Sequence, residues 1–200
     1  MKDWYELISP TYFGGVKLGS VPCTEPEHII GRTIESTLYD LTGDFAQQHT
    51  KLFFQVTSVE GKEAHTIFKG HEYAREYLRS LVRRGSTRVD GIMKLKTKDG
   101  YLIRASIVVF TLTRIKTSQI KAIRTFITRI VHAKVASLNF DQFVQEAVLG
   151  KVASDIYNAA KEITPLRHVG FMKSQLLGIP IELPTTDIVE VEVEPLMDGS

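Results

Sequence analysis

Along this chain the spacing of apolar residues switches repeatedly between two and three-to-four, and each switch predicts a change of element. Up to about Pro26 short apolar pieces are interrupted by Gly and Pro, which predicts an extended segment lying over the domain and held by Trp4, Tyr5, Tyr12 and Phe13. Three runs rich in β-branched and aromatic residues follow, Ile29 to Leu41, Lys51 to Val59 and Ala64 to Phe68, with a hairpin at Gly61 between the last two. From His71 to Arg84 the period is helical. Tyr73, Tyr77, Leu78 and Leu81 fall on one side and Arg75, Arg79 and Arg83 on the other, with Glu72 and Glu76 close enough to answer the arginines, and Gly85 ends the helix.

Residues 87 to 110 read as two long strands joined at Lys98-Asp99-Gly100. A two-residue Asp-Gly loop pairs Lys96 with Ile103 and mixes polar and apolar residues on each face. A three-residue loop with Gly100 left-handed instead gathers Met93, Leu95, Tyr101, Ile103, Ala105 and Ile107 on one face, and Lys94, Lys96, Lys98 and Arg104 on the other. The second register separates burial from charge and is the one expected, although Leu102, Val108 and Phe110 then need cover on the charged face.

Ser118 to Val135 returns to helical spacing, with Ile120, Ile123, Ile127, Ile130 and Val131 as the apolar stripe. Lys121, Thr128, Arg129 and His132 take the opposite side, and Arg124 its edge. Asn139 with Gln142 predicts a capping box opening a helix through Leu149. A further helix from Lys151 carries Val152, Ile156, Ala160 and Ile163 at core spacing and stops before Pro165. Val169 to Leu177 is expected to return to the sheet. From Glu182 to Ser200 there are six acids and no Lys or Arg, with Val189, Val191 and Val193 alternating with Glu: an edge strand guarded by charge, or an acidic tail. The tail reading is the one carried forward, so residues 1–181 form one domain and residues 182–200 follow it.

Charge changes this picture. The formal net charge is only +2, but residues 69 to 134 hold sixteen Lys or Arg against four acids, Glu72, Glu76, Asp90 and Asp99, while the rest of the chain is acidic. Such a block fits a polyanionic partner, because bases that converge on one surface neutralise phosphates and release condensed counterions. The strand lysines Lys94, Lys96 and Lys98, with Arg104, Arg114, Lys116, Lys121, Arg124 and Arg129, are the expected phosphate contacts. Arg83, Arg84 and Arg88 rank second. Tyr101 and Phe110 are candidates for base stacking, although both residue types more often pack in a core.

Other chemistry has little support. Cys23 is the only cysteine, so an internal disulfide and a cysteine-rich zinc site are excluded. His28, His49, His65, His71, His132 and His168 show no metal-ligand pair at helical spacing, and Glu63, His65, His71 and Glu72 make only a loose cluster. Gly14, Gly15 and Gly19 lack the Gly-Lys followed by Ser or Thr of a phosphate loop. No catalytic residue, metal or cofactor is expected. No apolar run is long enough to cross a bilayer and the start lacks a signal-peptide stretch, so a cytoplasmic protein with no membrane partner is expected.

Several segments, in this order, resemble the small-subunit ribosomal protein family of archaea and eukaryotes called S3Ae. They are Trp4-Tyr5-Glu6 followed by Pro10, Gly31-Arg32 leading to Leu38 through Leu41, Thr97 to Arg104, Gln119 to Arg124, and Ser154-Asp155-Ile156 continuing through Ile163-Thr164-Pro165-Leu166. The resemblance spans about residues 4 to 178. It implies an α+β fold with a β-barrel-like sheet core and flanking helices, and a non-catalytic place on the platform of the small ribosomal subunit near the messenger exit. Ribosomal RNA is the implied main partner, beside neighbouring platform proteins and close to messenger RNA and initiation components. The chain departs from eukaryotic members in having no long Lys-rich N-terminal extension and in its acidic end, and the short N-terminus points to an archaeal member. Two other readings compete: a nucleic-acid-processing hydrolase that uses carboxylates and a divalent metal, and an RNA-independent scaffold.

Overall fold

The segment that carries the basic block folds into two adjacent strands of a mixed sheet, with a short helix before them and a long helix after them. The structure is a computed structural model that describes residues 2–180, so the acidic stretch with its Val189 to Val193 alternation lies outside the described residues. The strands are β1 (Asp3–Ile8), β2 (Lys17–Cys23), β3 (Thr33–Thr37), β4 (Thr50–Glu60), β5 (Glu63–Tyr73), β6 (Arg88–Lys96), β7 (Leu102–Thr111) and β8 (Leu166–Gly178). The helices are α1 (Leu38–Thr42), α2 (Arg75–Leu81), α3 (Thr117–Ser137), α4 (Phe140–Val148) and α5 (Lys151–Lys161). The strand order is β2-β1-β5-β8-β7-β6, with β4 and then β3 on the other side of β5. The fold class is α+β, as expected. The sheet itself is open rather than closed into a barrel, and β6 is one of its edges.

The hairpin register follows from its local pattern. Lys96 pairs with Leu102, Leu95 with Ile103 and Lys94 with Arg104. Gly100 sits at φ 86° and donates its N–H to the Thr97 carbonyl at 3.0 Å, closing the three-residue loop that the separation of apolar and charged faces selects. Leu95, Ile103, Ala105, Ile107 and Val109 are therefore buried together. Onto them pack Ile123, Ile127 and Val131 of α3, with Val152, Ile156 and Ala160 of α5 and Phe143 of α4 completing the core. Each of the fully buried Leu, Ile, Val and Phe side chains contributes about 1.5–3 kcal/mol, which is what holds the hairpin's inner face against the helices. On the outer face Phe110 is covered by Arg88, whose guanidinium lies 6.0 Å from the ring centroid and reaches Met172 Sδ at 3.3 Å, whereas Leu102 stays exposed.

Three expectations are corrected. The first segment is not a strap held by Trp4: β1 and β2 form a hairpin in the sheet, and Trp4 is 60% exposed while Tyr5 and Leu7 are buried. Pro22 is tolerated there because β2 is an edge strand. The run from Ile29 to Leu41 is strand only over Thr33–Thr37, since Thr37 and Asp40 make a reciprocal capping box that starts α1; the Asp40 carboxylate accepts the Thr37 N–H at 2.9 Å. The helix expected from His71 to Arg84 spans only Arg75–Leu81, and Arg83 lies beyond its end, after the extended Val82. Residues 70 to 72 are instead claimed by β8, with which they pair as Gly70 to Gln175, His71 to Ser174 and Glu72 to Lys173.

That pairing buries His71. Its Nε2 lies 3.1 Å from the Phe171 carbonyl, which can only accept, so the proton sits on Nε2 and Nδ1 accepts from the Ser174 hydroxyl at 2.6 Å. Burial depresses its pKa to about 4, against the opposing pull of the Phe171 hydrogen bond and of Glu72. The unfolded chain therefore takes up this proton first as pH falls. Stability should fall between pH 6.5 and 4, by up to about 3 kcal/mol from this residue. Urea midpoints of wild type and His71→Asn across pH 7 to 5 check this: the variant should be less stable at pH 7 and flatter toward acid, and parallel curves would refute it.

Candidate nucleic-acid interface

Alternation along β6 and β7 sends Lys94, Lys96 and Arg104 to the face opposite the helices, where all three are exposed. Lys94 and Arg104 are direct cross-strand partners, an arrangement in which like charges repel. Beside Arg104 on β8 stands the neutral Gln175. Lys98 extends the row into the loop.

Of the four acids of this block, Asp90 answers a base of the block itself, Glu72 and Asp99 are engaged elsewhere, and Glu76 is in no ion pair among the described residues. Glu72 is paired with Lys173 at 2.8 Å and Asp90 with Arg88 at 2.8 Å. Asp99, next to Lys98, accepts the Phe140 N–H at 3.0 Å and caps α4. Glu76 lies among the charges that favour the ammonium of Lys51, whose closest partner is Glu35. Among the described residues, the bases of the block held in ion pairs are Arg88 and Lys134; the latter bonds Asp155 and Glu146. Arg75, Arg79 and Arg83 do not pair with Glu72 or Glu76, so the ion-paired reading of that helix face does not hold.

The structure divides the expected contacts into three groups rather than one surface. Lys94, Lys96, Lys98 and Arg104 form the outer face and tip of the hairpin. Arg83, Arg84, Arg88, Arg114 and Lys116 lie at the opposite end of the same two strands, eight residues or about 27 Å along β6 from Lys96. Within this group Arg88 is committed to Asp90 and Phe110, while Arg83, Arg84, Arg114 and Lys116 are exposed.

The third group rides on α3, which packs against the inner face with Ile127 under Gly91. Arg124 reaches around the open edge of β6 to donate from Nε to the Asp90 carbonyl at 3.2 Å. Lys121 is exposed one turn earlier, and Arg129 projects away from the buried Ile123, Ile127 and Val131 stripe. The β6 edge thus carries bases on both sides, which a strand-and-helix pattern alone does not reveal.

Two aromatic candidates are withdrawn from the surface. Tyr101 stacks on Phe140 at 4.4 Å between centroids, and Phe110 is buried. Of the loose Glu63, His65, His71 and Glu72 cluster, His71 is inside the sheet, and among the described residues no group of three or more His, Cys, Asp or Glu side chains could hold a metal ion. His49 stacks on Tyr77 at 3.7 Å and His168 meets Tyr73 and Tyr77, so these rings dock α2 on the sheet. Missing from the expected set were Lys69 and Gln175, which share the outer sheet face with Arg104. Lys69 belongs to the basic run, whereas nothing near Gln175 in sequence marks it.

The chain matches the model of the Ribosomal S3Ae family over residues 1–180. It is 50% identical to the small ribosomal subunit protein eS1 of Desulfurococcus amylolyticus over 180 residues, 90% of this chain and 84% of that protein. The proteins of the same name from Staphylothermus marinus and Archaeoglobus fulgidus are 43% and 47% identical, over 100% and 94% of this chain and 93% and 90% of their own lengths. The chain therefore belongs to the Ribosomal S3Ae family, a family of structural ribosomal proteins and not of enzymes.

Proposed function

We propose that the chain is a structural constituent of the cytoplasmic small ribosomal subunit, binding ribosomal RNA on the platform near the messenger exit. The hairpin face of Lys94, Lys96, Lys98 and Arg104 is its principal phosphate contact, and Lys121, Arg124 and Arg129 follow the strand around the β6 edge. One observation carries the reading: Lys94 and Arg104 oppose each other directly on an exposed face, with the nearby acids engaged elsewhere. A free protein gains nothing from that juxtaposition, while a phosphate between two cations is held by charge-assisted hydrogen bonds. Neighbouring platform proteins complete its surroundings, and messenger RNA and initiation components lie close to it.

Sedimentation of cell extract with RNA–protein crosslink mapping tests the assignment. The chain should migrate with small subunits and crosslink to ribosomal RNA through the hairpin; finding it outside those fractions would defeat the reading. A minimal RNA complex that neutralises about six phosphates should lose roughly three orders of magnitude in affinity between 50 and 200 mM salt. Affinity that ignores salt would contradict phosphate contact.

A further inference from the structure

The outer face of the sheet carries a hollow beside the phosphate row that the basic residues do not explain. It lies where β5 meets β8, a junction only three pairs long, and has a volume of about 300 Å³. Two irregularities open it. In β5 the register with β4 shifts so that Lys69 is an extra residue between Phe68 and Gly70, and in β8 the register with β7 shifts so that Leu177 is extra between Leu176 and Gly178. Such bulges bend a strand and re-aim its side chain, and here both bulged residues line the hollow.

Its walls are of two kinds. Phe53 and Leu177 supply apolar surface, half-buried and 51% exposed respectively. Thr33 and Gln175 offer hydroxyl and carboxamide groups, and the Glu72–Lys173 ion pair closes one side. Gln175 is the β8 partner of Arg104, and Arg104 is the β7 partner of Lys94, so the hollow lies one strand from the first base and two from the second, about 5 and 10 Å.

We infer that this hollow takes one unpaired nucleobase of the RNA strand whose phosphates lie over Arg104 and Lys94. The inference rests on the phosphate-binding reading above. The volume is at the small end of ligand pockets and suits one flat ring system rather than a helix or an added strand. An aromatic ring beside hydrogen-bonding side chains is what a splayed base uses, stacking on one and bonding its edge to the other. Arg104 and Lys94, which hold no ion pair among the described residues, set the charge of the occupant: a polyanion with an apolar, planar appendage. A duplex offers no free base face, so only single-stranded RNA can fill the hollow.

The test uses the full chain and fluorescence anisotropy with a labelled single-stranded RNA, the same strand as a duplex, and the same strand with abasic positions. Phe53→Ala should weaken binding of the single strand by about 5- to 100-fold, the range for losing a base–aromatic stack, and change duplex and abasic binding less than twofold. Leu177→Ser, at a position 51% exposed, should act in the same direction, with denaturant midpoints of both variants measured alongside. Unchanged single-strand affinity in both variants, or equal losses for single strand and duplex, overturns the base pocket while leaving the phosphate surface intact. Wild-type binding that is insensitive both to salt and to Arg104→Glu overturns the phosphate reading and the pocket with it. A photo-crosslinker placed at position 53 should label RNA in small-subunit particles; labelling protein instead overturns the inference.

Discussion

Arg104→Glu should make the free protein slightly more stable and its RNA complex about a hundredfold weaker. Both signs follow from one cross-strand pair. Lys94 faces Arg104 directly on the exposed side of the ladder, so glutamate at 104 replaces a like-charge contact with an opposite-charge one. The gain is a few tenths of a kcal/mol, because the pair is open to solvent and screened. RNA, in contrast, loses Arg104 as a phosphate contact and finds Lys94 already engaged by the new carboxylate. Two charge-assisted contacts at a net 1.5 kcal/mol or more each correspond to about a hundredfold, and the slope of log affinity against log salt should fall by about two. Denaturant unfolding and anisotropy titrations at several salt concentrations check the two halves. Loss of stability in step with loss of binding would show that Arg104 supports the fold rather than the complex.

The largest stability effect is expected at Gly70. A Cβ built there would lie 2.3 Å from the Ser174 carbonyl oxygen and 3.3 Å from the Gln175 Cα, so it meets backbone that cannot rotate aside. Gly70→Ala must push β8 away from β5 at their short junction and loosen His71 from Ser174 and Phe171. A cost of about 3 kcal/mol or more is expected, at the upper end for overpacking, and a thermal midpoint lower by roughly 6–12 °C. Gly91→Ala is the control: its Cβ would meet the Ile127 Cγ2 methyl at 3.3 Å, a milder contact with a side chain rather than backbone, so a smaller loss is expected. Equal midpoints for the two variants would show that the β5–β8 approach is softer than its geometry implies.

How much of this was readable in advance differs by element. The β6–β7 hairpin is legible in its register, because of the two loops that Lys98-Asp99-Gly100 allows only the three-residue one separates the apolar alternation from the lysine row. The apolar stripe of α3 and the core positions of α5 were legible for the same reason, with Ile123, Ile127, Val131, Val152, Ile156 and Ala160 all buried. The start of α2 was misread because Tyr73, Tyr77 and Leu81 keep a helical spacing from a residue that is still in β5. The pairing of His71 with Ser174, about a hundred positions away, overrides that local signal. The N-terminal hairpin was hidden by Gly19 and Pro22, residues that an edge strand accepts and an interior strand does not.

The candidate surface divides along the same line. Concentration of sixteen bases between residues 69 and 134, and the placing of Lys94, Lys96 and Arg104 on one strand face, were determined by the sequence alone, since strand and helix periods are properties of a few consecutive residues. Only the tertiary structure decided that Glu72 answers Lys173 rather than Arg75, and that Asp99 caps α4. It also decided that Arg124 turns around the β6 edge, and that Phe53, Lys69, Gln175 and Leu177 meet beside Arg104. Those partnerships join residues tens to a hundred positions apart through strand order and register. No local period encodes such neighbours; they exist only once the helices have packed on the β6–β7 hairpin and β8 has closed between β5 and β7.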